Sequence, residues 1–158
     1  MKKITPFLWY DHHAEEAANF YASIFKNSKV TAVNRAGGHV ITVNFELDGQ
    51  QFIALNAGPR YKFTEATSFF ISCDTQEEVD MFWDRLSEGG QKSQCGWLKD
   101  RWGLSWQVVP RALTRLMGDP DPVKSKAVLD AMLKMKKIVI ADLQHAYDHA
   151  GIAPVSKP

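Results

Sequence analysis

The order of hydrophobic periodicities along the chain occurs twice within about the first 110 residues, and this repeat constrains the fold most. First, the apolar run ITPFLWY precedes a segment with helical spacing, HAEEAANFYASIF, and three strand-like runs follow. Then SFFISCD reads as a strand and TQEEVDMFWDRLSEGG as a helix, again with strands after it. A half of about 55 residues hardly buries its own sheet. The repeat therefore predicts two similar modules in one continuous sheet system.

Turn and cap signals support this reading. Gly37-Gly38 and Asp48-Gly49 separate the runs KVTAVNRA, HVITVNFEL and QFIALNA, and Asp-Gly between alternating runs is typical of a hairpin. Thr75 and Glu78 have the spacing of a capping box, and Gly89-Gly90 ends that helix. CGWLKDRWG and LSWQVVP are predicted as the last strands, with Asp100 to Gly103 as their turn.

From Pro110 onward the pattern predicts helices. RALTRLM is followed by GDPDP, and the next helix begins with Asp121 as N-cap and Pro122 at the first helical position. IVIADLQHAYDHAG ends at Gly151. An apolar stripe on the middle helix is expected to pack against the body or a partner chain; it comprises Val128, Leu129, Met132, Leu133 and Met135.

Composition excludes several classes of protein. The 158 residues are 45% hydrophobic and 23% charged, which is ordinary for one folded domain, and the net charge of +1 argues against a dedicated nucleic-acid or anionic-membrane surface. Cys73 and Cys95 are too few for a disulfide framework and are expected to be reduced. The chain has no apolar run of about 20 residues and its start lacks a signal-peptide core, so a cytoplasmic location is predicted.

Two histidine pairs raise the question of a metal site. In LWYDHHAEEAANFY, the pattern favours a strand-to-helix boundary, with His13 as N-cap and Glu16 in the acid-favouring first turn. His12 with Glu16 is the alternative that would share a metal. His145 and His149 have a two-ligand spacing on the last helix, but a solvent-facing terminal helix with polar residues is the favoured interpretation, and adventitious binding of zinc or nickel there would be compatible with it.

Three segments carry a resemblance to a known family: LWYDHHAEEAANFYASIFKNSKV, GWLKDRWGLSWQVVPRAL and DPDPVKSKAVLDAMLKMKKIVIADLQHAY. They resemble the PhnB-like family, often labelled 3-demethylubiquinone-9 3-methyltransferase, of the vicinal oxygen chelate (glyoxalase, bleomycin resistance, dioxygenase) superfamily. The resemblance implies an α+β fold of paired βαβββ modules that form a curved mixed-sheet cup, with C-terminal helices and usually a homodimer. The expected layout is one domain, 1–158, with modules at about 1–60 and 66–110 and a helical tail at 111–158.

Enzymes of that superfamily place metal ligands on the first and last strand of each module. Carried over by position, these fall at Pro6, Ala54, Ser68 and Gln107. Pro and Ala offer no side-chain ligand, and Ser and Gln are weak neutral ones, so no metal and no cofactor are predicted. The glycine pairs also do not lie at a strand-to-helix turn, as a common S-adenosylmethionine site requires.

If those four positions face the cup, the alternation of side chains along a strand adds neighbours two residues away. The predicted ligand-binding residues are Tyr10, Phe52, Asn56, Ser68, Phe70, Ser72, Ser105 and Gln107, with Arg101 and Trp102 at the rim. Phe7, Trp9, Phe69, Ile71, Leu104 and Trp106 would lie under the helices. Apolar walls with sparse polar groups are typical of a small-molecule pocket, and a filled, inert core is the alternative.

The leading hypothesis is a metal-independent protein that binds a small, aromatic or otherwise apolar molecule. The alternatives are an enzyme, either a methyltransferase as the family label says or a lyase or isomerase, and a structural or regulatory dimer without a ligand. The expected partners are a small molecule and a second copy of the chain, with no nucleic acid and no membrane. The ligand, any reaction, and the choice between side-by-side and strand-exchanged dimers are left open.

Overall fold

The computed structural model describes residues 2–152. The chain divides into two compact units. Within these residues, the first comprises 2–67 with Trp102–Leu104, and the second comprises Ser68–Arg101 with 105–152.

The first unit is a βαβββ module. Its elements are β1 (Phe7–Tyr10), α1 (Ala14–Ile24), β2 (Lys29–Ala36), β3 (His39–Leu47) and β4 (Gln50–Asn56). The sheet order is β1-β4-β3-β2, with β1 parallel to β4 and the other pairs antiparallel. Both hairpins turn where predicted. Both central residues of each turn have the positive φ that a tight hairpin turn requires (Gly37 56°, Gly38 80°; Asp48 47°, Gly49 81°).

The second unit repeats this order. Its elements are β5 (Ser68–Cys73), α2 (Gln76–Leu86), β6 (Gln91–Lys92), β7 (Trp97–Lys99) and β8 (Ser105–Pro110), in the sheet order β5-β8-β7-β6. The predicted capping box begins α2. Thr75 Oγ1 accepts from the Glu78 N–H at 3.2 Å, and Glu78 Oε2 accepts from the Asp74 N–H at 3.1 Å.

Three helices follow β8 in the second unit: α3 (Arg111–Met117), α4 (Pro122–Leu133) and α5 (Ile140–Asp148). Asp121 caps α4 as predicted, since its Oδ1 accepts from the Val123 N–H. The helices share a buried cluster with the end of β8, formed by Val109, Leu113, Leu116, Val128, Ile138 and Leu143. Most of the predicted stripe packs on this cluster, but Leu133 at the end of α4 is 55% exposed.

The α+β class and the paired βαβββ modules are therefore confirmed. The sheet system is not continuous, however. Each module pairs its own first and fourth strands in parallel, which gives two four-stranded mixed sheets. No helix within residues 2–152 has the length and apolar character to cross a membrane. The domain boundaries stay predictions.

Candidate functional site

In the first unit, the residues predicted to face a cup lie instead beneath α1. Leu8, Tyr10 and Phe52 are buried. The Tyr10 hydroxyl is 2.9 Å from the hydroxyl of Tyr21 in α1, and the Phe52 ring stacks on Phe45 at 5.2 Å and 11°. The face assigned to Tyr10 and Phe52 is therefore wrong, although their part in ligand binding is itself untested.

Asn56 has a structural task that the sequence did not indicate. Its Oδ1 accepts from the Ala14 N–H at 2.8 Å, at the first residue of α1, and its Nδ2 donates to Val40 O at 3.2 Å. Asn56 thus supplies a hydrogen-bond acceptor to the N-terminus of α1. His13 occupies the N-cap position as predicted but makes no side-chain cap bond; its Nδ1 lies 3.1 Å from Glu16 Oε2.

A one-residue slip explains the wrong faces. Tyr10 and Cys73 end the first strand of the two repeats, and an aspartate follows each. Aligned on these ends, the residue that corresponds to Ser68 is Thr5, not Pro6. Because side chains alternate along a strand, a shift of one residue moves every side chain to the other face.

The same alignment relates the fourth strands of the two repeats. Phe7 lies opposite Ile53, and the corresponding Phe70 lies opposite Gln107. Ile53 therefore corresponds to Gln107, and Gln51 corresponds to Ser105.

Trp102, predicted at the rim, is half-buried among aromatic rings of the first unit. Within the first unit its ring makes edge-to-face contacts with Tyr10, Phe20 and Tyr21, at centroid distances of 6.3, 5.5 and 5.7 Å. An indole in such a cluster buries apolar area and supports α1. Arg101, the other predicted rim residue, is exposed.

In the second unit the burial alternates along the strands, and whether the more exposed side lines a cup stays a prediction. Ile71 and Trp106 are buried, and Phe69 packs on Trp106 at 5.6 Å, whereas Phe70 is 55% exposed and Ser72 is also exposed. Phe70 lies opposite Gln107, and Ser68 lies opposite Ser105. We call this side of the two strands, formed by Ser68, Phe70, Ser72, Ser105 and Gln107, the β5–β8 face; Ser105 is buried in it, and the other four are at least partly exposed.

The polar groups of the β5–β8 face are only partly paired with one another. Gln107 Nε2 donates to Ser68 Oγ at 2.9 Å, a bond that uses neither the O–H of Ser68 nor Gln107 Oε1. Ser105 is 1% exposed, and its Oγ has no hydrogen-bond partner among residues 2–152. A buried hydroxyl without a partner costs free energy, and such groups in native proteins usually have an explanation.

The first unit contains a small cavity of about 60 Å³. Its lining includes Thr5, Thr31, Asn44 and Gln51, from the approach to β1 and from β2, β3 and β4. Gln51 Oε1 is buried and, like Ser105 Oγ, lacks a partner within the described part of the chain. None of these four residues is among the ligand-binding residues predicted from the sequence. The repeat, aligned on the ends of its first strands, is the signal that could have identified Thr5 and Gln51.

The side chains at the positions expected for metal ligands do not suit a catalytic metal ion. The register puts Thr5, Ile53, Ser68 and Gln107 at the positions that the superfamily uses for ligands, and none of them is an imidazole or a carboxylate. Within residues 2–152, no three His, Cys, Asp or Glu side chains are arranged to hold a metal.

The two histidines of each pair are in ring contact, but within residues 2–152 no third His, Cys, Asp or Glu completes a metal site with them. The rings of His145 and His149 stack at 4.1 Å, and those of His12 and His13 lie 3.8 Å apart. Adventitious metal binding at these pairs stays untested.

A common S-adenosylmethionine site does not fit either. The turns between strand and helix consist of Asp11 to His13 and of Asp74-Thr75, and neither contains glycine.

The two cysteines differ in their surroundings. Cys73 is fully buried at the end of β5; burial, with the nearby charges of Glu78 and Asp74, raises the pKa of its thiol to about 12. Such a thiol is a poor nucleophile at neutral pH. Cys95 is half-buried, with its Sγ 3.6 Å from Met132 O. The structure describes both as free thiols, as expected.

Comparison with known proteins identifies the family. Residues 2–109 match the family described as 3-demethylubiquinone-9 3-methyltransferase. A solved PhnB protein from Bacillus cereus that carries the same methyltransferase name is 34% identical, covers 69% of this chain and 99% of its own, and superposes with a TM-score of 0.66. Curated proteins gave no match.

A more distant structure supports the fold alone. Protein PA1353 from Pseudomonas aeruginosa is 17% identical, with 70% of this chain and 98% of that chain covered and a TM-score of 0.60. The match of 2–109 ends before α3, so the helical tail lies outside the matched region. The chain belongs to the 3-demethylubiquinone-9 3-methyltransferase family, which confirms the PhnB-like resemblance of its sequence.

Proposed function

We propose that this protein binds a small, uncharged organic molecule on the β5–β8 face, without a metal. The observation that carries the proposal is Ser105 Oγ, a buried hydroxyl with no partner within residues 2–152. A ligand with a hydrogen-bonding group at this point would remove the cost of that unpaired atom.

The neighbours of Ser105 support a ligand with both polar and apolar parts. Ser68 has an O–H to donate and Gln107 an Oε1 to accept, and the exposed Phe70 ring lies beside them on the same strand pair. A few neutral hydrogen-bonding groups against an aromatic wall are typical of small-molecule sites. Ser68, Ser105 and Gln107 carry no charge, and Lys99, which lies opposite Ser105 on β7, has an interaction of its own. We therefore expect a neutral ligand to bind better than an ion, which would lose its hydration.

The test uses three probes of one shape and different charge: benzamide, benzoate and benzylamine. Each is titrated into ¹⁵N-labelled protein while the backbone amide signals of β5 and β8 are followed. We expect benzamide to shift these signals and the two ions to do so at least tenfold more weakly.

Two variants show whether Ser105 is responsible. Ser105→Ala should weaken benzamide binding by about five- to tenfold, which is the effect of one neutral hydrogen bond. Ser93→Ala, an exposed serine of the same unit, should leave it unchanged. Benzamide that binds Ser105→Ala as tightly as the wild type, or that shifts no signal of β5 or β8 at millimolar concentration, would overturn the proposal.

We also propose, on the family resemblance alone, that the protein forms a homodimer. Light scattering coupled to size exclusion tests it directly: a mass of one chain, 17.8 kDa, across micromolar concentrations would contradict it.

A further inference from the structure

Two histidines near the end of α5 lie one helical turn apart on the same face. His145 and His149 are both exposed, and their rings stack with centroids 4.1 Å apart and planes 27° from parallel. Residues four apart are neighbours on a helix, and this spacing lets two imidazoles bind one zinc ion. Because the helix already holds the rings together, the pair needs only side-chain rotation to bind one ion.

A hydrogen bond fixes the orientation of the His149 ring. Its Nδ1 lies 2.9 Å from the carbonyl oxygen of His145, and because a carbonyl oxygen only accepts, Nδ1 is the donor. The neutral ring then has its free lone pair on Nε2, which is the atom left to bind a metal. Metal-binding histidines usually donate their other ring nitrogen to a carbonyl or carboxylate in this way. The ring nitrogens of His145 make no hydrogen bond or ion pair within residues 2–152.

The charges around this pair favour a cation. The C-terminal end of a helix carries a partial negative charge from its free carbonyls, and His149 is the C-cap of α5. Asp142, one turn before His145 on the same face, is exposed and adds a carboxylate. The other histidine pair, His12 and His13, precedes α1 and therefore lies at the positive end of a helix.

We infer that His145 and His149 form a site for one divalent transition-metal ion of the class that prefers imidazole, such as zinc. Within residues 2–152, no third His, Cys, Asp or Glu is placed to complete the site, so the chain supplies two ligands and water takes the remaining positions. Imidazole nitrogen suits zinc, nickel and copper, whereas magnesium and calcium prefer oxygen ligands. The inference goes beyond the proposed function, because α5 belongs to the helical tail outside the matched residues 2–109.

The test titrates Zn²⁺, and separately Mg²⁺, into ¹⁵N-labelled full-length protein without a histidine tag. The amide signals of His145 and His149 should shift at a zinc concentration about tenfold or more below that which shifts His39, the single histidine of β3, because two imidazoles hold the ion together. Mg²⁺ should leave all three unchanged. Shifts in α5 that need as much zinc as those of His39 would show adventitious binding to single imidazoles and would overturn the inference.

Two variants identify the ligands. His149→Ala leaves one imidazole on α5 and should weaken zinc binding there by about tenfold or more. His12→Ala, which removes an exposed histidine from the other pair, should leave the α5 response unchanged. Zinc affinity at α5 that is equal in His149→Ala and the wild type would overturn the inference.

Hydrogen exchange shows whether one ion bridges the two rings. Such an ion binds only while the last turn of α5 is helical, so zinc should slow amide exchange in that turn in the wild type and not in His149→Ala. Unchanged exchange in zinc-saturated wild type would contradict the bridge. The chelator EDTA should reverse the zinc effects and leave the benzamide response of β5 and β8 as it is, so failure of either proposal is seen separately.

Discussion

The hydroxyl of Tyr10 in β1 lies 2.9 Å from the hydroxyl of Tyr21 in α1, and both residues are buried. The bond joins the first strand to α1 and shows that Tyr10 points to the face of the first sheet that this helix covers. Trp102 packs edge-on against both rings, so the bond lies within an aromatic cluster of the first unit.

Loss of this bond should destabilise the protein by a modest amount. We expect Tyr21→Phe and Tyr10→Phe each to lower the free energy of unfolding by about 0.5–1.5 kcal/mol, the usual net value of a buried hydrogen bond. The double variant should lose less than the sum of the two, because the two single changes remove one shared interaction. Urea denaturation measures all three, and strictly additive losses would contradict the bond.

Asn56 should prove to be a cap for α1. Asn56→Ala leaves the Ala14 N–H without its acceptor, and we expect a loss of about 1–2 kcal/mol in the free energy of unfolding. Asn56→Asp keeps an acceptor at the positive end of the helix and should recover part of that loss. A urea midpoint of Asn56→Ala equal to that of the wild type would show that the cap contributes nothing to stability.

Ser105→Ala should stabilise the protein in the absence of ligand. Removal of a buried hydroxyl without a partner relieves an unpaired group, for which we expect a gain of about 1 kcal/mol and a rise in Tm of about 2–4 °C. Ser93→Ala is the control, since exposed substitutions usually change stability by less than about 0.5 kcal/mol. A lower Tm in Ser105→Ala would mean that the hydroxyl is well paired in solution.

Cys73 should make stability fall at alkaline pH. In the native protein the pKa of its thiol is raised from 9.0 to about 12, so above pH 9 the unfolded chain loses this proton while the native one keeps it. The unfolded state then binds fewer protons, and stability falls as pH rises between about 9 and 12, by at most about 1.4 kcal/mol per pH unit. Below pH 9 the thiol is protonated in both states and has no effect on the slope.

The measurement compares the slope of the unfolding free energy against pH in the wild type, Cys73→Ala and Cys95→Ala. Other groups titrate in the same range, but they are common to all three. Cys73→Ala should be less steep than the wild type above pH 9, and Cys95→Ala should run parallel to the wild type. Equal slopes in all three proteins would contradict a raised pKa at Cys73.

Local signals in the sequence were sufficient for the order of elements. The hairpin at Asp48-Gly49, the capping box of Thr75 and Glu78 and the cap at Asp121 each depend on residues within a few positions of one another. The repeat of these local patterns was sufficient for the paired modules. The family match over residues 2–109 agrees with the resemblance carried by the segments of the two modules.

The candidate site was less accessible from the sequence, for two physical reasons. The face of a strand reverses with a slip of one residue, so the count that placed Pro6 with Ser68 exchanged the two faces of the first sheet. Other roles depend on distant partners. Asn56 bonds to Ala14, 42 residues away, and the unpaired state of Ser105 depends on every residue around it. A hydrophobic pattern contains neither kind of information.

Gly96 should be required for the attachment of the helical tail. It has a φ of +82°, its N–H donates to Lys136 O and its carbonyl accepts from the Val108 N–H, both at 2.8 Å. A Cβ at this position would lie 2.7 Å from Val108 O and 3.0 Å from Ile138 Cδ1, so a side chain must push β8 and the tail apart.

Gly58→Ala is the matched control for Gly96→Ala. Gly58 has a φ of +84°, and a Cβ there would meet nothing within 4 Å. Both variants bear the cost of a left-handed residue, about 1–2 kcal/mol, and only Gly96→Ala adds a clash. We expect Gly96→Ala to lose at least about 1 kcal/mol more in urea unfolding. Amide hydrogen exchange in α4 and α5 should also speed up in this variant alone. Equal losses and unchanged exchange would show that the tail accommodates a methyl group at Gly96.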